Sequence, residues 1–185
     1  MNLPDWTSPG VRRTHTGALA SLHPYLRTLW QIAQSSLPED IFLYVFIGQR
    51  GKEAQESAYR SGNSNAKFGQ SYHNLTPALA FDCVPMFKDK PREVEWKSER
   101  TKKLLAQIAT HLTPLVEWGG SWKFLSGGDI YHFQPSGLPK TPPESAIDGY
   151  RLSSPKIPDL AHAVFTAPTV KSVVDLTGGT VRLVE

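Results

Sequence analysis

The chain has 185 residues, of which 39% are hydrophobic and 10% aromatic, a composition typical of one folded domain with a real core and unlike that of a disordered protein. The formal net charge of +3 is too small an excess to indicate nucleic-acid binding, and no basic cluster with interleaved aromatic residues accompanies it. No apolar run approaches the roughly 18 residues of a membrane helix, the N-terminal sequence lacks the apolar core of a secretory signal, and the single cysteine, Cys83, excludes an internal disulfide framework.

The first part of the chain predicts two helices on either side of a buried strand. Residues 21–37 carry apolar side chains at helical spacing, and Ser21 is placed to cap this helix. The continuous apolar and β-branched run 41–48 predicts a buried strand. Residues 50–62 then predict a short helix that Gly62 ends.

The following part predicts further short strands and one longer helix. A polar loop over 62–71 leads into a second strand around 79–84. Residues 92–112 form an amphipathic helical pattern, and 115–120 and 130–134 predict two short strands around a glycine-rich loop. Because the helices and strands follow no regular strand–helix–strand period, we predict an α+β fold with a small antiparallel sheet flanked by helices.

The composition changes after the last predicted strand. The proline-rich residues 135–145 predict a linker, and 171–185 predict a β-hairpin that turns at Gly178–Gly179. We therefore divide the chain into a domain over 1–140 and a C-terminal extension over 141–185. The extension is expected to pack on the core, and its role is left open.

Two segments carry residues suited to a metal site. A hydrolytic zinc ion takes three ligands from His, Asp or Glu and leaves its fourth position to water, and a nearby carboxylate can accept a proton from that water. His73 and Asp82 lie at the two ends of a loop-to-strand segment and offer two ligands. If His132 is the third, Asp129 can reach the water as a general base. The segments are far apart in the chain, so spacing alone does not show that they meet. Polar residues placed there by coincidence, without a metal-binding role, stay an alternative.

Three segments resemble the motifs of one peptidase family. "SYHNLTPALAFD" resembles the Ser-x-His-(several)-Ala-x-Asp motif of the zinc D-alanyl-D-alanine carboxypeptidase and L-alanyl-D-glutamate endopeptidase family, the VanY-like enzymes that include many phage endolysins. "EWGGSWKFLSGGDIYHFQ" resembles the second motif, Gly-Gly-x-Trp followed by Asp-x-x-His, an aromatic residue and Gln or Glu. "IGQRGKEAQESAYRSG" is similar to the family's Gly-x-Arg-x-x-x-x-Gln segment. The order of the motifs agrees over about residues 20–134.

The resemblance implies roles for individual residues. It implies a zinc ion in a cleft on the sheet, bound by His73, Asp82 and His132. Asp129 would be the catalytic base, and the Arg50 guanidinium would bind a substrate carboxylate or the oxyanion formed at the scissile carbonyl. On the substrate side, Ser71 would be a hydrogen-bonding group and Gln55 a supporting residue. The Trp122 ring is expected there as a lining residue of the cleft, with a place in the core as the alternative.

The implied function is that of a zinc-dependent peptidoglycan peptidase, with Zn²⁺ as cofactor and the stem peptide as partner. The resemblance favours an L-alanyl-D-glutamate endopeptidase of the phage endolysin type, and 1–140 would be its zinc peptidase domain. A D-alanyl-D-alanine carboxypeptidase is one alternative, and a wall-binding or virion protein that keeps zinc without turnover is another. Without a signal peptide, such a lysin is expected to accumulate in the host bacterial cytoplasm and to reach the wall after membrane breach.

The remaining reactive side chains are expected to be structural. Cys83 neighbours a proposed ligand in a predicted strand, so its side chain is expected to point to the opposite face of the sheet. Four histidines match no motif and are expected to be structural or solvated: His15, His23, His111 and His162.

Overall fold

The computed structural model describes residues 3–123 and 128–143. Within these residues, four strands form one antiparallel sheet in the order β1-β2-β4-β3, which confirms the α+β prediction. None of the helices in this part of the chain is long and apolar enough to cross a membrane. The elements are α1 (Pro9–Ala20), α2 (Pro24–Ser35), β1 (Ile41–Ile47), α3 (Lys52–Arg60), β2 (Phe81–Phe87), α4 (Glu99–Leu112), β3 (Val116–Trp118) and β4 (His132–Pro135).

The junction between α1 and α2 differs from the prediction. Ser21 ends α1, and its hydroxyl donates to the Ala18 carbonyl at 2.7 Å. His23 caps α2 instead, because its Nδ1 accepts a hydrogen bond from the Tyr25 N–H at 3.3 Å. The prediction that Ser21 begins the second helix is therefore wrong, since an unpredicted helix, α1, occupies the preceding residues.

The other helix ends follow ordinary capping rules. Gly62 lies just beyond α3 with φ +75°, the left-handed conformation that ends a helix. α4 begins at Glu99, later than predicted, because the Ser98 hydroxyl caps it by accepting from the Thr101 N–H at 3.1 Å.

Side chains of α1 and α2 cover the outer edge of β1. The Gln34 amide oxygen accepts from the Leu43 N–H at 2.7 Å, and its NH₂ donates to the Ile41 carbonyl at 3.1 Å. His15 Nδ1 accepts from the Val45 N–H at 3.0 Å. These bonds satisfy backbone groups that an edge strand otherwise offers to another chain, and they fix both helices against the sheet.

The main core lies between the sheet and the helices, and a second cluster supports the loop before β2. Cys83 is fully buried in the main core, as expected, and burial raises the pKa of its thiol well above the usual value. The second cluster consists of four buried residues, with Leu138 packed against them. Its buried members are Tyr72, Leu75, Leu79 and Ala80.

The segment predicted as a linker begins as part of the fold. The Tyr72 hydroxyl donates to the Pro139 carbonyl at 2.9 Å, and residues 138–141 line a cleft described below. The linker interpretation is therefore wrong for these residues. Residues 144–185, with the hairpin predicted at Gly178–Gly179, lie outside the described residues.

Candidate metal centre

Strand pairing places two of the predicted ligands side by side. Asp82 in β2 and His132 in β4 are register partners, so their side chains lie next to each other on one face of the sheet. His73 lies in a 3-10 turn, Tyr72–Asn74. The loop between this turn and β2 is held by the second cluster, which brings His73 over the same face.

The three side chains form a nearly equilateral triangle of ligand atoms. His73 Nε2 lies 3.1 Å from Asp82 Oδ1 and 3.2 Å from His132 Nδ1. His132 Nδ1 lies 3.2 Å from Asp82 Oδ1, and all three residues are buried. Ligands of a tetrahedral zinc ion with bonds of about 2.0–2.1 Å are separated by roughly 3.3 Å. The triangle therefore has the dimensions of a site that could hold a metal ion.

The second nitrogen of each imidazole sets the tautomer of the ring. His73 Nδ1 lies 2.7 Å from the Gly48 carbonyl, which can only accept, so Nδ1 carries the hydrogen. His132 Nε2 lies 3.0 Å from the Gln134 amide oxygen, and the Gln134 NH₂ in turn donates to the Glu117 carboxylate at 3.3 Å. In the neutral rings, His73 Nε2 and His132 Nδ1 are therefore unprotonated and present their lone pairs to the triangle.

Three hydrogen-bond acceptors thus converge without a hydrogen between them. Two imidazole lone pairs and one carboxylate oxygen, all buried, repel one another unless a cation lies among them. Nitrogen and carboxylate ligands in this number suit zinc, with a fourth position left for water.

Glycines place Asp129 beside the triangle. The Asp129 N–H donates to the Gly119 carbonyl at 2.8 Å, and the His132 N–H donates to the Asp129 carbonyl at 3.2 Å. A Cβ on Gly119 would lie 2.5 Å from the Asp129 carbonyl oxygen, so this close approach requires glycine. Burial, and then the charge of Asp82, raise the pKa of Asp129 above its usual value. A carboxylate with a raised pKa is suited to act as a general base near neutral pH.

Arg50 holds a positive charge at the edge of the triangle. Its Nη2 lies 3.7 Å from Asp82 Oδ2, and its Nη1 donates to the Gln55 amide oxygen at 3.3 Å. The Arg50 N–H also donates to the His73 carbonyl at 2.7 Å. These contacts leave a guanidinium lining the cleft, where it can bind an anionic group.

Gln55 lies beneath the cleft, with 0% of its surface exposed. Its amide oxygen accepts from Arg50 and from Asn74 at 3.3 and 3.2 Å. Its NH₂ donates to the Ser64 hydroxyl at 2.9 Å and to the Ala66 carbonyl at 2.6 Å. The structure therefore places Gln55 as a support for Arg50 and for a wall of the cleft.

Ser71 and Trp122, the other two predicted substrate-side residues, both line the cleft. The Ser71 hydroxyl accepts from the His73 N–H at 3.3 Å and so caps the turn that carries this ligand. The Trp122 ring centre lies 5.0 Å from that of His132. Its indole N–H donates to Glu117, a residue to which the sequence analysis gave no role.

The cleft has a volume of about 900 Å³, within the range of ligand-binding sites. Sequence reasoning missed two of its components, Glu117 and residues 138–141. The signal for Glu117 was a charged residue in a short apolar strand next to the Gly-Gly-x-Trp motif. Its importance depends on strand register, because Glu117 pairs with Gln134 across β3 and β4.

Comparisons with known proteins find a similarity among solved structures. Models of protein families give no match to the chain, and curated proteins give no significant match. Among solved structures, the chain is similar to the L-Ala D-Glu endopeptidase ChiX of Serratia marcescens, with 29% identity and a TM-score of 0.50. The similarity covers 66% of this chain and 86% of that chain. The chain thus shares the fold of a peptidase and carries a His–Asp–His site that could bind a metal.

Proposed function

We propose that the protein is a zinc-dependent peptidoglycan peptidase that cleaves stem peptides at the L-alanyl-D-glutamate bond. The observation that carries the proposal is the triangle of two imidazole lone pairs and a carboxylate, with Asp129 and Arg50 on the same cleft. The choice of bond is supported by the similarity to the Serratia L-Ala D-Glu endopeptidase and by the sequence motifs.

In this proposal His73, Asp82 and His132 hold the zinc ion. When bound, zinc supplies a Lewis acid for the scissile carbonyl and lowers the pKa of a water to about 7. The neighbouring groups favour catalysis over a purely structural site. A structural zinc site has four protein ligands and needs no base, whereas the described residues offer three here, with Asp129 beside them.

Asp129 acts as the general base and then as the general acid. Its carboxylate accepts a proton from the attacking water and returns that proton to the amine released from the cleaved peptide bond. The raised pKa of Asp129, caused first by burial and then by the charge of Asp82, brings its proton affinity closer to that needed near neutral pH. Its backbone bonds to Gly119 and His132 hold it in place during both transfers.

Arg50 orients the substrate through charge. Its guanidinium is held by Gln55 from below and faces the cleft near Asp82. Stem peptides carry free carboxylates next to the bond in question, and a guanidinium binds a carboxylate through two parallel hydrogen bonds. The same group can stabilise negative charge on the carbonyl oxygen during attack.

The proposal is tested by digesting purified peptidoglycan and identifying the released fragments by mass spectrometry. The wild-type protein is expected to generate new amine termini at D-glutamate. This product should disappear with a chelator, return on addition of zinc, and be absent from a His73→Ala variant purified in parallel. The parallel variant controls for contaminating peptidases.

Other products would select another function. Release of free D-alanine that depends on an intact peptide C-terminus would replace the endopeptidase by a carboxypeptidase. Zinc binding without release of any fragment would replace catalysis by a wall-binding or virion role.

The cellular setting is also a proposal, supported by the resemblance of the motifs to phage endolysins. We infer that the protein acts on the wall after the cytoplasmic membrane is breached. Expression in a bacterial cytoplasm should leave the cells intact until the membrane is permeabilised, and lysis should then follow within the same culture. Lysis without permeabilisation would contradict this setting.

A further inference from the structure

A chain of hydrogen bonds leads from His132 to a carboxylate that the proposed reaction does not use. His132 Nε2 lies 3.0 Å from the Gln134 amide oxygen, and the Gln134 NH₂ donates to Glu117 Oε2 at 3.3 Å. The other oxygen of Glu117, Oε1, accepts from the Trp122 indole N–H. Both carboxylate oxygens are therefore bound to groups that touch His132.

We propose that Glu117 is a positioning residue for the metal site, which holds Gln134 and Trp122 against His132 and so keeps the Nδ1 lone pair directed at the metal. The inference rests on the proposed zinc site. In this inference Glu117, in β3, influences the proposed metal ligand His132 in the neighbouring strand β4.

The sheet places these groups with little freedom. His132 and Gln134 are two residues apart in β4, so their side chains lie on the same face. Glu117 and Gln134 are register partners across β3 and β4, which places their side chains next to each other. The Trp122 ring lies against the imidazole of His132, with ring centres 5.0 Å apart.

Only an acceptor at Glu117 fixes the orientation of the Gln134 amide. One carboxylate oxygen of Glu117 accepts from the Gln134 NH₂, and the other accepts from the Trp122 indole N–H. The Gln134 oxygen must then face His132, whose Nε2 must donate to it. This leaves Nδ1 unprotonated, which is the form that binds a metal.

An isosteric amide breaks this arrangement. In Glu117→Gln, an NH₂ group replaces one of the two oxygens of the side chain. If the NH₂ faces Trp122, two donors meet. If it faces Gln134, the Gln134 amide turns over, its NH₂ faces His132, and the ring is driven towards the tautomer with hydrogen on Nδ1. Either result weakens metal binding.

Exchanging the two side chains restores every bond. In the double variant Glu117→Gln/Gln134→Glu, the new carboxylate at position 134 accepts from His132 Nε2–H and from the new amide at position 117. The amide oxygen at position 117 accepts from the Trp122 indole. The single variant Gln134→Glu instead places two carboxylates side by side, which is unfavourable. A simple loss of packing does not predict such a recovery.

The test measures zinc affinity by competition with a fluorescent chelator in four proteins. Glu117→Gln is expected to bind zinc about 10- to 100-fold more weakly than wild type, as for other partners of metal-ligating histidines. The double variant is expected to return to within about three-fold. The control is Glu39→Gln, which makes the same chemical change at an exposed turn and should leave the affinity unchanged.

A second measurement does not depend on any variant folding. In zinc-loaded wild-type protein, nitrogen-15 NMR of the imidazoles should show a protonated Nε2 and a metal-bound Nδ1 for His132. A proton on Nδ1 would overturn the inference. So would a Glu117→Gln affinity within two-fold of wild type, or a double variant that binds no better than Glu117→Gln.

These outcomes are separate from those that test the proposed function. In one outcome the wild-type protein binds zinc but releases no peptide fragment, while zinc affinity falls in Glu117→Gln and recovers in the double variant. That result would contradict the peptidase and support the role of Glu117. Peptide release by the wild-type protein, together with an unchanged zinc affinity of Glu117→Gln, would support the peptidase and contradict the role of Glu117. A wild-type protein without zinc affinity would contradict both.

Discussion

Two oxygen atoms decide how the two histidines can act. The Gly48 carbonyl accepts from His73 Nδ1–H, and the Gln134 amide oxygen accepts from His132 Nε2–H. Because both outer nitrogens donate, both inner nitrogens present lone pairs beside the Asp82 carboxylate. At the residue scale, the site is therefore defined as much by these partners as by the ligands.

Substitution of the proposed base, Asp129, is predicted to reduce catalysis without reducing metal binding. Asp129→Asn keeps the size of the side chain but removes the ability to accept a proton, so kcat on a stem peptide should fall by about 10²- to 10⁴-fold. Zinc content should stay at the wild-type value, because Asp129 lies outside the triangle of ligand atoms. Turnover and metal analysis of the same sample test both statements, with Asp40→Asn at an exposed turn as control. A variant within ten-fold of wild-type kcat would exclude Asp129 as the base.

His15 is predicted to make stability depend on pH. Burial lowers its pKa from 6.5 to about 4 in the folded protein. Between these values the unfolded chain binds more protons, so the free energy of unfolding rises with pH, and this contribution is lost as pH falls from 6.5 towards 4. The full effect is about 3 kcal/mol.

Urea unfolding at several pH values measures this effect directly. His15→Gln removes the titrating ring but keeps an acceptor for the Val45 N–H. The difference in stability between wild type and this variant should shrink as pH falls below 6.5. A difference that is constant from pH 7.5 to 4.5 would show that His15 does not titrate on unfolding in this range.

At the scale of elements, the contact between the turn Gly119–Ser121 and the start of β4 fixes the position of Asp129. Gly119→Ala places a Cβ 2.5 Å from the Asp129 carbonyl oxygen and 3.0 Å from the His132 Cβ, so the backbone must shift. We expect a loss of about 1–3 kcal/mol in stability and a fall in kcat of roughly 10²-fold, since misplacement by about 1 Å has effects of that size.

The matched control is the same change in a helix. A Cβ on Gly17 in α1 would meet no atom within 4 Å. Gly17→Ala should therefore raise stability by about 0.5–1 kcal/mol and leave kcat unchanged. Denaturation and turnover of the two variants side by side test the contrast. Equal behaviour of both would contradict the role given to Gly119.

The sequence predicted the helices and strands that have a clear apolar pattern of their own. It did not predict an element whose buried side chain is polar and is satisfied only by contacts in the folded protein. The apolar run of β1 and the apolar periodicity of α2 and α4 are visible in the sequence. α1 was missed because the residue it buries is His15, a polar side chain whose bond to Val45 exists only in the folded sheet. The role of Ser21 was misread for the same reason.

Part of the candidate site was also accessible from sequence. The motifs implied His73, Asp82, His132 and Asp129, and the structure brings these four side chains to one cleft. The role of Glu117 was not accessible, because its contact with Gln134 depends on the pairing of β3 with β4. Register between strands distant in sequence is a property of the folded sheet, which local periodicity does not encode.

At the scale of the whole molecule, metal binding at the candidate site would be coupled to folding. The three ligands come from a turn, from β2 and from β4, so the triangle exists only when these segments are packed together. Zinc at 100 times its Kd should then stabilise the fold by about 2.7 kcal/mol. For a chain of this size that corresponds to a rise in Tm of about 5–10 °C.

Thermal unfolding with excess zinc and with a chelator tests this coupling. The wild-type Tm should differ between the two conditions by the predicted amount. His73→Ala, which lacks one ligand, should show the same Tm in both. A wild-type Tm that does not respond to zinc would contradict a site assembled by the fold.

A zinc titration of catalysis is the most direct test of the proposed zinc-dependent peptidase. Metal-free protein is mixed with increasing zinc, and cleavage of a synthetic stem peptide containing the L-alanyl-D-glutamate bond is followed by mass spectrometry. We expect the rate to rise linearly to one zinc per chain and then to become constant, with the new amine at D-glutamate. Cleavage that is already maximal in the metal-free protein, or absent with one zinc bound, would contradict it.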